Sequence, residues 1–252
     1  MRWRTIWSAT ASISSSNSRP FARTESPQAR QLNNNLQGVP MADYILYGTP
    51  LSTYVRTVRM AFTEKGVDYQ LADVNIFRGE HQSEAYLARH PFGKVPALEA
   101  GDLSLFETAA ILELIEGRHP KPPLQPAQAE PRALMRQWQN VVDHYVYPTL
   151  IGQVVWQRVV RPNLLNEGTD EVVVERAMPA ARRQMHLLER HLGGARWLSG
   201  DTIGIADLYL APIMAYFSQT PEGRGVLSEA PALGRWWEHI SDRESFTATQ
   251  PG

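Results

Sequence analysis

Cysteine is absent from all 252 residues. That one gap excludes disulfides, zinc–thiolate sites, CxxC redox chemistry and a catalytic cysteine nucleophile, and it is compatible with a reducing compartment. Any thiol chemistry must use a sulfur carried in by another molecule. Long apolar runs are missing as well, since nothing approaches the ~18 consecutive apolar residues of a membrane span. So is an excess of one charge: 25 Lys and Arg stand against 26 Asp and Glu, for a formal charge of -1. With no basic run or aromatic-interleaved stripe beyond the first residues, neither nucleic acid nor a membrane surface is indicated as a partner. What is present, 43% hydrophobic residues in a chain long enough for one large domain or two ordinary ones, is ample for a globular core.

Residues 1–40 stand apart. They are rich in Ser and Arg, carry Glu25 as their only acid, and lack the continuous apolar stretch of a secretory signal. They read as a disordered or processed leader. One explanation is an organelle-import segment; the one favoured is translated upstream sequence before a true start at Met41, because MADYILYG runs straight into the first strand pattern.

From Tyr44 the chain alternates short extended segments with helices. YILY reads as a strand, followed by a helix over 53–65 that Gly66 closes as a C-cap. YQLADV is a second strand and 83–89 a short helix. VPALEA and LSLF, joined through Gly101-Asp102, form a hairpin, and a helix over 107–116 ends at Gly117. The order is βαβαββα. Then RHPKPPLQPAQAEP concentrates five prolines, a linker over 121–130 that continues neither helix nor sheet. Beyond it the period is helical: residues 131–160, 171–192, 205–218 and 231–242, with Pro148 and Pro179 expected to break or kink their segments. The division is an α/β domain over 41–120 and an all-α domain over 131–252.

The ordered stretches YGTPLSTYVRTVR, EHQSEAYLARHPFGKVPAL, GDLSLFETAAI, WLSGDTIGIADLYLAP and PALGRWWEHISDR resemble the cytosolic glutathione transferases. The resemblance is greatest to their phi-type branch, in which an ST pair follows the first strand and an EH pair precedes the second helix. It spans residues 43–246. It implies a thioredoxin-like domain followed by a helical domain, glutathione as co-substrate, no tightly bound cofactor or metal, a homodimer, and a cytoplasmic location unless the leader is a genuine import segment.

Such an enzyme presents the glutathione sulfur as thiolate. Lowering a thiol pKa by about two units takes roughly 2.7 kcal/mol, and a hydrogen bond to a charged group supplies on the order of 1.5–3 kcal/mol. One hydroxyl at a helix N-terminus is of the right size. Ser52 matches the family's catalytic serine as hydrogen-bond donor to that sulfur, not as a nucleophile. The structural alternative is that Ser52 only caps its helix, and Thr53 and Tyr47 are the other candidate donors. In the preferred assignment Ser52 serves the sulfur and Thr53 starts the helix.

By the same resemblance Val95-Pro96 is a cis step whose backbone pairs with the cysteinyl part of glutathione, and Lys94 offers an ammonium to a carboxylate. His81 contacts the glycyl carboxylate; Gln82 follows as a further glutathione-binding candidate, where the family usually has Lys. Glu107 and Thr108 receive the γ-glutamyl ammonium and carboxylate. Gly204 stands where the family normally caps its central helix with Ser or Thr, three residues before Asp207, whose role is in folding. Leu51, Tyr54, Tyr145, Ile151, Trp156 and Tyr216 are the candidate liners of an apolar second-substrate pocket. Conjugation of glutathione to apolar electrophiles is the preferred activity. A non-catalytic binding or assembly module, and glutathione-dependent peroxide reduction at the same site, are the alternatives.

Overall fold

A computed structural model describes residues 43–251. The leader, the candidate start at Met41 and Gly252 lie outside the described residues. Four strands, β1 (Ile45–Tyr47), β2 (Gln70–Ala72), β3 (Ala97–Ala100) and β4 (Leu103–Phe106), form one sheet in the order β2-β1-β3-β4. β2 runs parallel to β1, and β3 and β4 run antiparallel to their neighbours. Ala100 pairs with Leu103 across the two-residue Gly101-Asp102 turn, where Gly101 supplies the positive φ. With α1 (Thr53–Lys65), α2 (Glu84–Leu87) and α3 (Thr108–Arg118), this is the thioredoxin-like βαβαββα unit. Gly117 lies inside α3 and does not cap it. Its penalty in a helix interior, about 1 kcal/mol, is small beside the packing of Ile111, Leu112 and Ile115 in the core.

The helical half opens with α4, one continuous helix over residues 129–164, two residues earlier than the proline-based start. Pro148 does not break it. The winding is α-helical over Ala129–Val141, widens to i→i+5 bonding over Val142–Val146, returns to α for Tyr147–Thr149, widens again over Leu150–Val160, and closes as α over Arg161–Leu164. Proline has no N–H and crowds the carbonyl one turn back, so a locally wider winding accommodates it. Next to it the Tyr145 carbonyl accepts from Thr149 Oγ1 at 2.9 Å and from Gln184 Nε2 at 3.0 Å. Four helices follow within the core: α5 (Glu171–Leu192), which also runs unbroken through Pro179, α6 (Ile205–Phe217), α7 (Pro221–Ser228) and α8 (Pro231–Ser241); a single turn, α9 (Glu244–Thr247), ends the chain.

One core unites both halves. α1 packs Val55, Val58, Ala61 and Phe62 inward, and its Thr57 hydroxyl donates to the Leu208 carbonyl of α6 at 3.0 Å. Buried Arg56 donates to the Phe246 carbonyl at 2.8 Å, tying α9 to the same helix. Lys65 and Glu116 make a buried ion pair at its other end. α6 is buried along nearly its whole length, and Asp207 in its first turn is 0% exposed. The Asp207 carboxylate accepts from Leu198 N at 2.8 Å, Gly204 N at 2.9 Å and Trp236 Nε1 at 2.8 Å. Glycine at 204 has a steric reason: a Cβ there would stand 2.1 Å from Ser199 Oγ and 3.2 Å from the Leu124 carbonyl.

Candidate active site

α1 begins at the site because of the loop before it. Gly48 takes a φ of 152°, and a Cβ on it would lie 2.4 Å from Val55 Cγ2, so only glycine lets the β1–α1 loop lie this close to the helix it leads into. The loop then turns through the Ser52 N–H bond to Thr49 O, 3.0 Å, and places Ser52 as the N-cap of α1. Its Oγ accepts from Val55 N at 3.4 Å, a long bond. The hydroxyl proton is donated to no partner among the described residues. The capping role therefore falls on Ser52 and not on Thr53, which is buried as the first helical residue. Capping and donation do not compete, because capping uses the oxygen lone pair and donation uses the proton.

Tyr47 is excluded as the donor. It is buried away from the cavity, and its hydroxyl donates to Glu99 Oε2 at 2.7 Å. Burial, then that bond, pushes its pKa up to about 12. Tyr47→Phe is expected to leave any turnover at the site within about twofold and to cost about 1 kcal/mol of stability, the scale of one hydrogen bond. A steady-state assay beside a thermal melt checks it, and a tenfold fall in turnover would return Tyr47 to the site.

Ser52 opens on a cavity of about 780 Å³ between the two halves. The size suits small-molecule ligands. His81, Lys94, Val95, Pro96, Glu107 and Thr108 line it together with Ser52. The Val95-Pro96 peptide bond is cis. Glu107 holds a φ of 71°, a region costly for a residue with a Cβ, at about 1–3 kcal/mol. It sits at the N-cap position of α3 without a capping bond, and its carboxylate has no hydrogen-bond partner among the described residues. Gln82 is outside the lining: it is exposed, and its Nε2 turns to the Gly93 carbonyl at 3.4 Å.

His90 is a cavity residue that sequence reading passed over. It is 2% exposed, rests against Phe106 with centroids 5.0 Å apart, and its Nδ1 has no partner, as is also true of His81 Nδ1. Burial lowers the His90 pKa, against the pull of Glu107, so the imidazole is neutral at pH 7. Its place beside the FGKVPAL stretch was the available signal.

The other wall carries Leu51, Tyr54, Ile151, Trp156 and Tyr216, and the Tyr216 hydroxyl closes onto the Leu51 carbonyl at 2.8 Å. Tyr145 is not part of it; its side chain is 63% exposed and outside the lining. The residues of α4 that do face the cavity fall in pairs at every fourth position: Asp143-His144, Tyr147-Pro148, Ile151-Gly152, Val155-Trp156, Val159-Val160 and Asn163-Leu164. In a regular α-helix a strict four-residue spacing drifts around the axis, because 3.6 residues make a turn. The two wide-wound stretches cancel the drift and keep all six pairs on one face.

The sequence model described as the glutathione S-transferase N-terminal domain matches residues 46–123, and the one described as its C-terminal domain matches residues 147–244. The chain belongs to the glutathione S-transferase family. The transferase is similar to glutathione S-transferase F13 of Arabidopsis thaliana, 33% identical over 210 residues that cover 82% of this chain and 94% of that one. Among solved structures it resembles glutathione transferase F7 from Populus trichocarpa, with a TM-score of 0.76 and 32% identity over 82% and 97% of the two chains. It also resembles glutathione S-transferase I from maize in complex with an atrazine glutathione conjugate, with a TM-score of 0.74 and 30% identity over 82% and 95%. These relatives place the transferase with the phi-type branch.

Proposed function

We propose that the transferase conjugates glutathione to small apolar electrophiles, with Ser52 donating its free hydroxyl hydrogen to the glutathione sulfur and holding it as thiolate. The observation that carries this reading is the pairing of an uncommitted Ser52 proton with an uncommitted Glu107 carboxylate in one cavity. A tripeptide with an ammonium at one end and a thiol at its centre needs those two groups. Glu107 accepts from the ammonium, the N–H groups and hydroxyl at Thr108 take the α-carboxylate at the start of α3, and the Val95 backbone pairs with the cysteinyl unit. His81 and Lys94 serve the glycyl carboxylate. Holding both reactants in one cavity supplies much of the rate gain. Residues 43–120 form the glutathione domain; the helices from 129 onward form the second-substrate domain.

The test is a difference spectrum in the thiolate absorption region on adding glutathione at neutral pH. A band is expected at about stoichiometric amplitude, and its absence at saturating glutathione would favour a binding module without turnover.

Among the described residues no helix is long and apolar enough to cross a membrane. A cytoplasmic homodimer fits the resemblance, with the small domain of one chain against the helices of the other. Phe92 on the first and Leu134 on the second are large apolar side chains left 69% and 55% exposed in the single chain. Light scattering at micromolar concentration is expected to return twice the 28.4 kDa chain mass; a monomer mass would overturn the dimer.

A further inference from the structure

The second-substrate half of the cavity is not uniformly apolar. Asp143, in the first wide-wound stretch of α4, lines it, and its Oδ1 accepts a 2.5 Å hydrogen bond from the Tyr54 hydroxyl. Tyr54 is itself held in place, its ring 4.6 Å from that of Tyr147 and 6.2 Å from that of Tyr209. The carboxylate is thus pinned by a neutral phenol. Its Oδ2 has no hydrogen-bond partner among the described residues, and no described Lys, Arg or His makes an ion pair with Asp143.

None of the basic residues of the lining forms an ion pair with Asp143. Arg56 is spent on the Phe246 carbonyl and is not in the lining. His144, which shares the lining with Asp143, is exposed and turns Nδ1 to Asn140 O at 3.0 Å, and Lys94 and His81 are the groups proposed for the glycyl carboxylate. Burial, then the Asp143 charge, raises the pKa of Tyr147, so that phenol stays neutral. A fixed negative charge without a protein counter-ion therefore faces a largely apolar space. Ser52, the proposed donor to the glutathione thiolate, lines the same cavity.

We propose that Asp143, pinned by Tyr54, sets the charge preference of the second-substrate site: it selects electrophiles that carry a cationic nitrogen or an N–H donor beside their apolar body and disfavours those that carry a carboxylate. The proposal rests on reading this half of the cavity as the electrophile site. Asp143 is a specificity-determining residue, and Tyr54 is a positioning residue that acts through it. A charge-assisted hydrogen bond is the strong kind, and its loss corresponds to about tenfold to hundredfold in affinity.

Quenching of tryptophan fluorescence, with Trp156 in the lining, reports binding of three unreactive probes in the presence of glutathione: 3-nitrobenzylamine, methyl 3-nitrobenzoate and 3-nitrobenzoate. The full chain is expected to bind the amine at least tenfold more tightly than the benzoate. In Asp143→Asn, which keeps an oxygen for the Tyr54 hydroxyl, the ratio is expected to fall within threefold of unity. In Tyr54→Phe, which keeps the charge and removes the pin, amine binding is expected to weaken two- to fivefold. Equal affinities in the unaltered chain, or an unchanged ratio in Asp143→Asn, overturn the assignment, and an unchanged Tyr54→Phe overturns the pinning. Turnover of the 4-chloro counterparts with glutathione tests the transferase reading separately: a binding preference without product would sink that reading and leave the Asp143 assignment standing.

Discussion

Ser52→Ala is expected to lower kcat/KM with an aromatic halide by about tenfold to hundredfold, the equivalent of the roughly 1.5–3 kcal/mol that a hydrogen bond to a charged group contributes. The affinity for glutathione is expected to stay within about threefold, because in the proposed pose Glu107, Thr108, the Val95 backbone, His81 and Lys94 hold the peptide while Ser52 addresses only the sulfur. The substitution also removes the α1 cap. That cap is a single 3.4 Å bond, so its loss lies at the low end of the usual range, about 0.5–1 kcal/mol. Ser52→Gly separates the two roles. Glycine serves as an N-cap at a cost of only a few tenths of a kcal/mol relative to serine, yet offers no donor. It is expected to melt close to the unaltered protein and to be as inactive as Ser52→Ala. Turnover retained in both variants would remove Ser52 from the chemistry.

Asp207→Ala is expected to abolish soluble expression or to lower Tm by more than ~10 °C. Three buried donors, Leu198 N, Gly204 N and Trp236 Nε1, converge on this carboxylate, and Ala leaves all three unpaired. Each unpaired donor costs about 1–3 kcal/mol, against a total stability of roughly 5–15 kcal/mol. Asp207→Asn keeps the shape with one acceptor oxygen and is the milder comparison. Its gap from the unaltered protein is expected to depend on pH. Burial pushes the Asp207 pKa up to about 6, against the pull of the N–H groups that it accepts from. A folded value above the unfolded value of about 3.9 means that this residue's contribution is fully present below about pH 4 and is lost as pH rises through 6. The Tm gap between the two proteins should therefore widen as pH falls from 7 to 5. A gap that narrows over that window, or an Asp207→Ala protein melting within ~3 °C of the unaltered chain, would contradict this account.

The order of most strands and helices was legible because apolar period and caps agree locally: Gly66 closes α1 and Gly101-Asp102 turns the hairpin. Ser52, His81, Lys94, Val95, Pro96, Glu107 and Thr108, but not Gln82, come together in one cavity, because they sit on short loops and helix starts where position in sequence nearly fixes position in space. The α4 wall was not legible. By residue type Tyr145 reads as a liner, whereas the face is set by the four-residue spacing of Tyr147, Ile151 and Val155, which departs from the ordinary α period. Assigning Ser52 to the sulfur leaves Thr53 as the helix start in sequence, yet one side chain has both a lone pair and a proton to use, and Ser52 is the N-cap. α7 was missed although Thr220 and Pro221 are a capping residue and a first-turn proline in sequence.

The paired face of α4 also bears on how such a protein can change. It behaves as a comb whose teeth are exchanged singly: a substitution at one pair reshapes the cavity wall at one level and leaves the other levels in place. Gly152 is a blank tooth, since a Cβ there would meet nothing within 4 Å. A residue inserted upstream within the helix would instead swing every later tooth out of the cavity. On the proposed division of the cavity, substrate range can thus drift by point changes along one helix, while the wall built on the loops of the other domain is left untouched.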